Sequence, residues 1–297
     1  MLPVERLPLY SDSGNMMTID SHQHFWKYDP QEYRWIGDSM KMLRRDFLPD
    51  DLEPHLKQNG FDGCIAVQAR QTLEETNWLL ELAARYSFIK AVVGWVDLRS
   101  PEVRFQLESV SANPKLAGIR HIVQSEPDDR FLLQPDFLRG IAALGEFNLA
   151  YDILIYGRHL PVAAEFVARF PQQRFVLDHL GKPDIGRHEL TSWSREIRKM
   201  AKFLNVYCKL SGMVTEADWD NWTEQDFAPY LDVAFECFGP ARLLIGSDWP
   251  VCTVAGNYSR VMDIVRNYLS RLPPEAREAV LGKTAMEAYG LELQAWS

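Results

Sequence analysis

The chain has 297 residues, of which 46% are hydrophobic and 25% are charged, and its formal net charge is -9. This length and composition are those of a globular protein that can bury a large core. The negative charge, without a cluster of Lys and Arg, argues against nucleic acid as a partner. We also expect no membrane partner and a cytoplasmic location, since neither a long apolar run nor a secretion signal is evident.

The cysteines are far apart in sequence and form no CxxC pair. At least two of them fall in strand-like runs, so buried free thiols are the economical interpretation, with disulfides left open. They are Cys64, Cys208, Cys237 and Cys252.

Short β-branched runs alternate with longer helical patterns, in the order expected of a parallel sheet with crossover helices. Residues 1–16 precede this alternation and are interpreted as a disordered extension, followed by one domain of residues 17–297. Strands are predicted at residues 17–21, 63–68, 91–96, 117–123, 150–155, 175–178, 206–210 and 243–246. Helices are predicted at residues 73–86, 102–111, 137–147, 161–170, 191–203, 226–238 and 258–269.

Eight strands without a flexible linker predict a single α/β domain, a (β/α)₈ TIM barrel. An open doubly wound sheet is the structural alternative. That fold normally has a glycine-rich phosphate turn after its first strand, and here the turn reads His-Gln-His at residues 22–24. In a barrel of this type we expect the active site at the C-terminal ends of the strands.

Polar residues at these strand ends are the candidate site residues. Side chains alternate with a period of two, so His22 and His24 project to the same side. On the fourth strand, a one-residue error in register would exchange Arg120 for His121. The same alternation selects Gln68, Arg70, Arg120, Asp152, Tyr156, His179, Lys209, Ser211 and Asp248.

Three of the seven histidines have a simple structural interpretation, because a lone histidine is more often a hydrogen-bonded structural residue than a ligand. This applies to His55, His159 and His188. A set of three histidines and one aspartate at the strand ends differs, because four polar, ionisable side chains would be costly to bury together without a chemical role. The four are His22, His24, His179 and Asp248.

Three cationic candidates have two open interpretations, substrate contact or ion pairing inside the barrel. They are Arg70, Arg120 and Lys209. Tyr156 either contacts substrate or caps the core with its hydroxyl toward solvent. Among the tryptophans after strands one, seven and eight, Trp26 and Trp249 are the candidates for a wall of the binding pocket.

Several motifs occur in a characteristic order: IDSHQHFW, VQARQ, VVGWVDL, GIRH, LDHLGKP, CKLSG and IGSDWPVC. Together they closely resemble the sugar-lactonase branch of the amidohydrolase superfamily, which includes L-fuconolactonases, L-rhamnonolactonases and 2-pyrone-4,6-dicarboxylate lactonases. The resemblance extends over residues 18–289. It implies a (β/α)₈ hydrolase that opens lactones.

The resemblance also implies roles for particular residues. His22 and His24 match the first-strand pair, His179 matches the sixth-strand histidine, and Asp248 matches the carboxylate that acts as general base. More weakly, Arg120 matches an arginine near the substrate and Tyr156 a fifth-strand tyrosine.

Metal binding is left open by the resemblance. Binuclear members place a bridging lysine on the fourth strand and a histidine on the fifth, whereas these strands offer Arg120 with His121 and Asp152 with Tyr156. We therefore expect at most one divalent ion, with zinc as the first choice. Its ligands would come from His22, His24, His179 and Asp248. The pyrone lactonase branch works without metal, so a metal-independent enzyme is the alternative.

The functional hypothesis is hydrolysis of a sugar-acid lactone, a small-molecule substrate, with L-fucono-1,4-lactone as the single choice. Asp248 would activate water, while the histidines or their metal polarise the carbonyl. Substrate hydroxyls would contact Gln68, Arg70, Arg120 and Lys209, with Trp26 or Trp249 against the ring. The alternatives are a zinc-dependent decarboxylase and a non-catalytic sugar-acid-binding barrel. The oligomeric state, a homo-oligomer included, is left open.

Overall fold

The computed structural model describes residues 16–291, and the fold is built around an eight-stranded parallel sheet. Each strand pairs with the next along the chain. The strands are β1 (Ile19–Gln23), β2 (Gly63–Val67), β3 (Ile89–Gly94), β4 (Leu116–His121), β5 (Ala150–Ile153), β6 (Phe175–Leu177), β7 (Val206–Leu210) and β8 (Leu243–Ile245). Residues 1–15 of the predicted extension lie outside the described residues.

The sheet closes on itself between β1 and the segment after β8. The amide of Asp248 donates to the carbonyl of His22 over 2.8 Å, and the amide of His24 donates to that of Trp249 over 2.7 Å. The hydroxyl of Ser21 also donates to the carbonyl of Ile245. The predicted (β/α)₈ barrel is therefore confirmed.

Helices follow the strands and surround the barrel. They are α1 (Pro49–Gln58), α2 (Leu73–Arg85), α3 (Val103–Ser111), α4 (Pro135–Leu144), α5 (Leu160–Ala168), α6 (Thr191–Met200), α7 (Glu224–Phe238), α8 (Tyr258–Leu269), α9 (Pro274–Glu278) and α10 (Thr284–Ala288), with a π-helical segment Ala279–Lys283. Helices α1, α9 and α10 are not among the helices predicted from the sequence. None of the helices described over residues 16–291 is both long and apolar enough to cross a membrane.

The start of β1 differs from its prediction by two residues. The amide and hydroxyl of Thr18 bond the Asp62 side chain at 2.8 and 2.9 Å, so Thr18 is tethered before strand pairing begins. The strand extends to Gln23 and includes His22.

The apolar core has two layers. Residues such as Ile65, Val67 and Val176 point into the barrel, and Met286 and Tyr289 pack with them from the C-terminal segment. The alternate strand residues pack outward against the helices. This arrangement leaves the opposite, C-terminal end of the barrel for polar side chains. All four cysteines are free, as expected.

Candidate active site

Three of the predicted residues come together at the barrel mouth. The Nε2 atoms of His22 and His24 are 3.2 Å apart, and Oδ1 of Asp248 lies 3.8 and 3.3 Å from them, respectively. His24 and Asp248 are each about one-twentieth exposed, whereas His22 is fully buried. The cluster therefore has a small open face toward the mouth.

A buried carboxylate that the sequence analysis missed joins the two strands of this cluster. Asp20 accepts bonds from the amide and hydroxyl of Ser247 at 2.9 and 2.6 Å, and from the hydroxyl of Tyr258 at 3.0 Å. Burial raises the pKa of Asp20 to about 6. Asp20 faces Tyr258 of α8 in the outer layer, whereas Ile19 points into the barrel, so the search for inward side chains could not have selected Asp20.

The protonation of His24 follows from its neighbour. Its Nδ1 lies 2.8 Å from the carbonyl oxygen of Val67, which can only accept a hydrogen bond. Nδ1 therefore carries the hydrogen, and the lone pair of a neutral His24 is on Nε2, facing His22 and Asp248.

His179 is brought to the site by an unusual left-handed turn. Four consecutive residues after β6 have positive φ: His179 (54°), Leu180 (56°), Gly181 (66°) and Lys182 (52°). A non-glycine residue in this conformation costs about 1–2 kcal/mol, and such strain concentrates at functional sites. The indole N–H of Trp193 donates to the carbonyl of Leu180 over 2.7 Å and helps to hold the turn.

The segment after β7 fixes the His179 ring. The hydroxyl of Ser211 lies 2.9 Å from His179 Nδ1. Gly212 follows with a φ of +60°, and a Cβ there would lie only 2.4 Å from the same nitrogen. The chain thus needs glycine at this position for both its conformation and its contact with the ring. The His179 and His22 rings are 4.4 Å apart between centroids.

Burial and charge set the protonation states. Burial lowers the pKa of His179 to about 4, and the charge of Lys182 contributes in the same direction. Burial also lowers the pKa of His22 well below its usual range. Burial raises the pKa of Asp248, but the interactions with His179, His24 and His22 outweigh this effect and hold the pKa below its ordinary value. At neutral pH, His22 and His179 are therefore neutral and Asp248 is an anion.

Charged residues fill the barrel beneath His22. The ammonium of Lys209 lies 2.6 Å from Asp152 Oδ2, 3.0 Å from Asp178 Oδ1 and 3.1 Å from His22 Nδ1. Tyr289 donates its hydroxyl to Asp152 over 2.7 Å. Lys209 is fully buried, and its ammonium is within ion-pair distance of both carboxylates. This geometry matches the ion-pair interpretation of Lys209, and its substrate contact stays a prediction.

Asp178 was missed by the sequence analysis, although the inward direction of Val176 two residues earlier marks it. It pairs with Arg120 Nη1 at 2.9 Å. The same guanidinium donates to the side-chain oxygen of Gln68 at 2.8 and 2.9 Å. Arg120 therefore points inward, while His121 lies outside the barrel, where it bonds Glu126 at 2.7 Å. Contact of Arg120 and Gln68 with substrate remains a prediction.

Arg70 lies in the loop after β2, away from the buried network. Its guanidinium is 3.6 Å from Glu32 and 3.3 Å from the hydroxyl of Thr72. The buried carboxylate of Glu75 accepts the amides of Ala69 and Arg70 at 2.9 and 2.7 Å, which shapes this loop. Burial raises the pKa of Glu75 to about 7.

The two predicted wall tryptophans are buried in packing. Trp26 has no exposed surface; its indole donates to the carbonyl of Arg45, and its ring packs against Phe47. Trp249 is 2% exposed and also packs edge-on against Phe47. Neither ring offers a free face to a ligand in this structure, because aromatic neighbours from the β1–α1 loop cover them.

Tyr156 follows β5 and is 36% exposed. Its amide donates to Nδ1 of His159, and Nε2 of His159 lies 2.8 Å from Asp129. His159 is therefore a hydrogen-bonded structural residue, as the sequence analysis predicted. Tyr156 lines a cavity of about 510 Å³ beside the barrel mouth. The other lining residues come mainly from the segment after β5, the loop after β6 and α6, with Glu216 from the loop after β7. The charged ones are Arg158, Lys182, Asp184, Glu189, Arg195, Glu196 and Glu216.

The residues at the mouth match a zinc site. A tetrahedral zinc ion with nitrogen and oxygen ligands at about 2.0–2.2 Å separates those ligands by about 3.3 Å. The ligand atoms of His22, His24 and Asp248 are 3.2, 3.3 and 3.8 Å apart. A second grouping, of His22 with Asp178 and His179, is less suitable because Asp178 is already paired with cations. His179 stands beside the first group rather than in it.

The structure thus places a histidine pair, a further histidine and a final aspartate at the C-terminal end of a (β/α)₈ barrel, where the active sites of such barrels lie. The sequence profile of the Amidohydrolase family matches residues 19–291. The chain belongs to this family, which confirms the resemblance drawn from its motifs.

Individual relatives agree with this assignment. The chain is 43% identical over 286 residues to an L-fucono-1,5-lactonase of Burkholderia multivorans, covering 93% of this chain and 96% of the relative. It is 37% identical over 281 residues to an L-fucono-1,5-lactonase of Burkholderia ambifaria, covering 92% and 96%. A crystal structure of a Burkholderia multivorans amidohydrolase with bound zinc has 43% identity and a TM-score of 0.89, over 93% of this chain and 100% of that one.

Proposed function

We propose that the protein is a lactonase that hydrolyses sugar-acid lactones, with L-fucono-1,5-lactone as the first substrate to test. The observation that carries the proposal is the cluster of His22, His24 and Asp248 beside His179 at the barrel mouth. The two Burkholderia relatives are named for the 1,5-lactone, and this favours the six-membered ring over the 1,4-lactone chosen from sequence.

Asp248 is the general base in this proposal. It is ionised at neutral pH and has an open face, so it can accept a proton from an attacking water. The proton then passes to the ring oxygen as the acyl C–O bond breaks, which leaves the open-chain hydroxy acid.

His179 stabilises the oxyanion that forms on the carbonyl. With the Ser211 hydroxyl donating to Nδ1, a neutral His179 carries its hydrogen on Nε2 and can donate it. The strained turn and Gly212 hold the ring in place, so little reorganisation is needed during the reaction.

His22, His24 and Asp248 are the residues that would hold a zinc ion. When bound, the ion supplies a Lewis acid for the carbonyl and lowers the pKa of water. Around it, Asp178 would accept the Nδ1 hydrogen of His22 over 3.4 Å, which leaves the lone pair on Nε2 for the ion, and the Val67 carbonyl orients His24.

The test is a panel of aldonolactones assayed by proton release, in the zinc-loaded protein. We expect turnover of L-fucono-1,5-lactone, and a loss of about 10²–10⁴-fold in kcat for Asp248→Asn. Asp220→Asn is the matched control, because Asp220 is exposed in the loop after β7. Carbon dioxide release from an aromatic acid, with no lactone opened, would instead identify a decarboxylase. Near-normal activity in Asp248→Asn would remove that residue from its assigned role.

A further inference from the structure

The left-handed turn after β6 presents two side chains to the barrel mouth. The amide of Lys182 donates to the carbonyl of His179 over 2.8 Å, which closes a turn of three residues. Side chains three positions apart in such a turn lie on the same face. Since His179 belongs to the catalytic cluster, the turn also delivers Lys182 to that side of the barrel.

Lys182 has specific partners there. Its ammonium lies 3.3 Å from Oε1 of Glu216 and 5.4 Å from the centre of the Tyr156 ring. The Lys182 and Glu216 side chains are only 14% and 21% exposed. All three residues line the cavity of about 510 Å³, a size that suits a small-molecule site. The loops after three successive strands therefore converge on one position.

The charges in this cavity favour a neutral polyol over an anion. Its lining cations are already paired, Arg158 with Asp129 at 3.1 Å and Arg195 with Glu196 at 2.7 Å, as Lys182 is with Glu216. An anionic ligand would have to displace a carboxylate. A hydroxyl group can instead accept from the ammonium and donate to the carboxylate.

We propose that Lys182 and Glu216, beside Tyr156, form the subsite that recognises the hydroxyl groups of the lactone. This subsite sets the preference for polyhydroxylated over unsubstituted lactones. The inference rests on the proposed lactonase function and assigns to it two specificity residues.

The experiment compares kcat/KM for L-fucono-1,5-lactone and for δ-valerolactone, which has the same ring size without hydroxyl groups. In Lys182→Met, the ratio of the two values should fall by about 10- to 100-fold, mainly through KM, since hydrogen bonds to a charged group are lost. Glu216→Gln keeps the side-chain shape and should lower the same ratio. Lys57→Met is the control, because Lys57 is also paired with a glutamate, Glu53 at 2.8 Å, and neither residue lines the cavity.

Thermal unfolding of each variant shows whether it is folded, and Glu216→Gln provides the test if Lys182→Met is not. A ratio that stays at the wild-type value in the folded variants would overturn the subsite while leaving the lactonase intact. Wild-type protein that opens neither lactone would overturn the proposed function, and the subsite with it.

Discussion

Gly212 offers a direct test of how closely the backbone positions His179. In Gly212→Ala, the added methyl group would lie 2.4 Å from Nδ1, 2.7 Å from Cγ and 3.1 Å from Cβ of His179. The ring must move by about 1 Å to restore normal contact, which would stretch the 2.9 Å bond to Ser211. A displacement of that size is expected to lower kcat about 100-fold.

The substitution should also destabilise the fold. Alanine at a φ of +60° costs about 1 kcal/mol, and overpacking against the ring adds about 1–3 kcal/mol. Thermal unfolding and initial rates of proton release measure the two effects separately.

Gly60→Ala is the matched control. Gly60 has a φ of +68°, and a Cβ there would meet no atom within 4 Å. This variant should lose about 1 kcal/mol of stability and keep its activity. A wild-type kcat in Gly212→Ala, or an equal loss in Gly60→Ala, would refute the idea that contact with His179 is what matters.

Two further predictions concern metal and pH. The wild-type protein should retain about one zinc ion per chain after dialysis, measured by elemental analysis. His24→Ala should retain almost none, whereas the control His188→Asn, at an exposed position, should match the wild type. Equal zinc content in all three proteins would exclude the proposed ligands. Because the pKa of Glu75 is raised from 4.5 to about 7 in the fold, chiefly by burial, its proton is held more tightly there than in the unfolded chain. This contribution to the free energy of unfolding is full below pH 4.5 and is lost as the pH rises through 7, about 3 kcal/mol in all. In Glu75→Gln, the free energy of unfolding measured with urea should therefore depend less on pH between 4.5 and 8. A pH dependence equal to that of the wild-type protein would contradict this.

The sequence predicted the barrel and the inward pair His22 and His24, because both depend on simple periodicities. The same alternation, applied from Val176, would have selected Asp178 rather than His179. Both residues reach the interior because the strand ends there and the left-handed turn redirects the chain. Positive φ at non-glycine residues has no clear sequence signal, so the geometry of this turn could not be predicted.

The partners of charged residues were also beyond sequence reasoning. Periodicity predicted that Lys209 and Arg120 point inward, but only the fold shows that Asp152 and Asp178 neutralise them. Likewise, the burial of Trp26 depends on Phe47, which lies twenty-one positions along the chain.

The closure of the barrel has a consequence for synthesis of the protein. The cluster is made from the first strand and the segment after the last, since His22 and His24 meet Asp248 only where β1 pairs with that segment. A nascent chain therefore lacks the complete set of ligands until β8 and the segment after it have left the ribosome, and a fragment that ends before β8 lacks Asp248. This long-range pairing is entropically costly, and the site is complete only once the barrel has closed. Activity therefore reports on the integrity of the whole barrel.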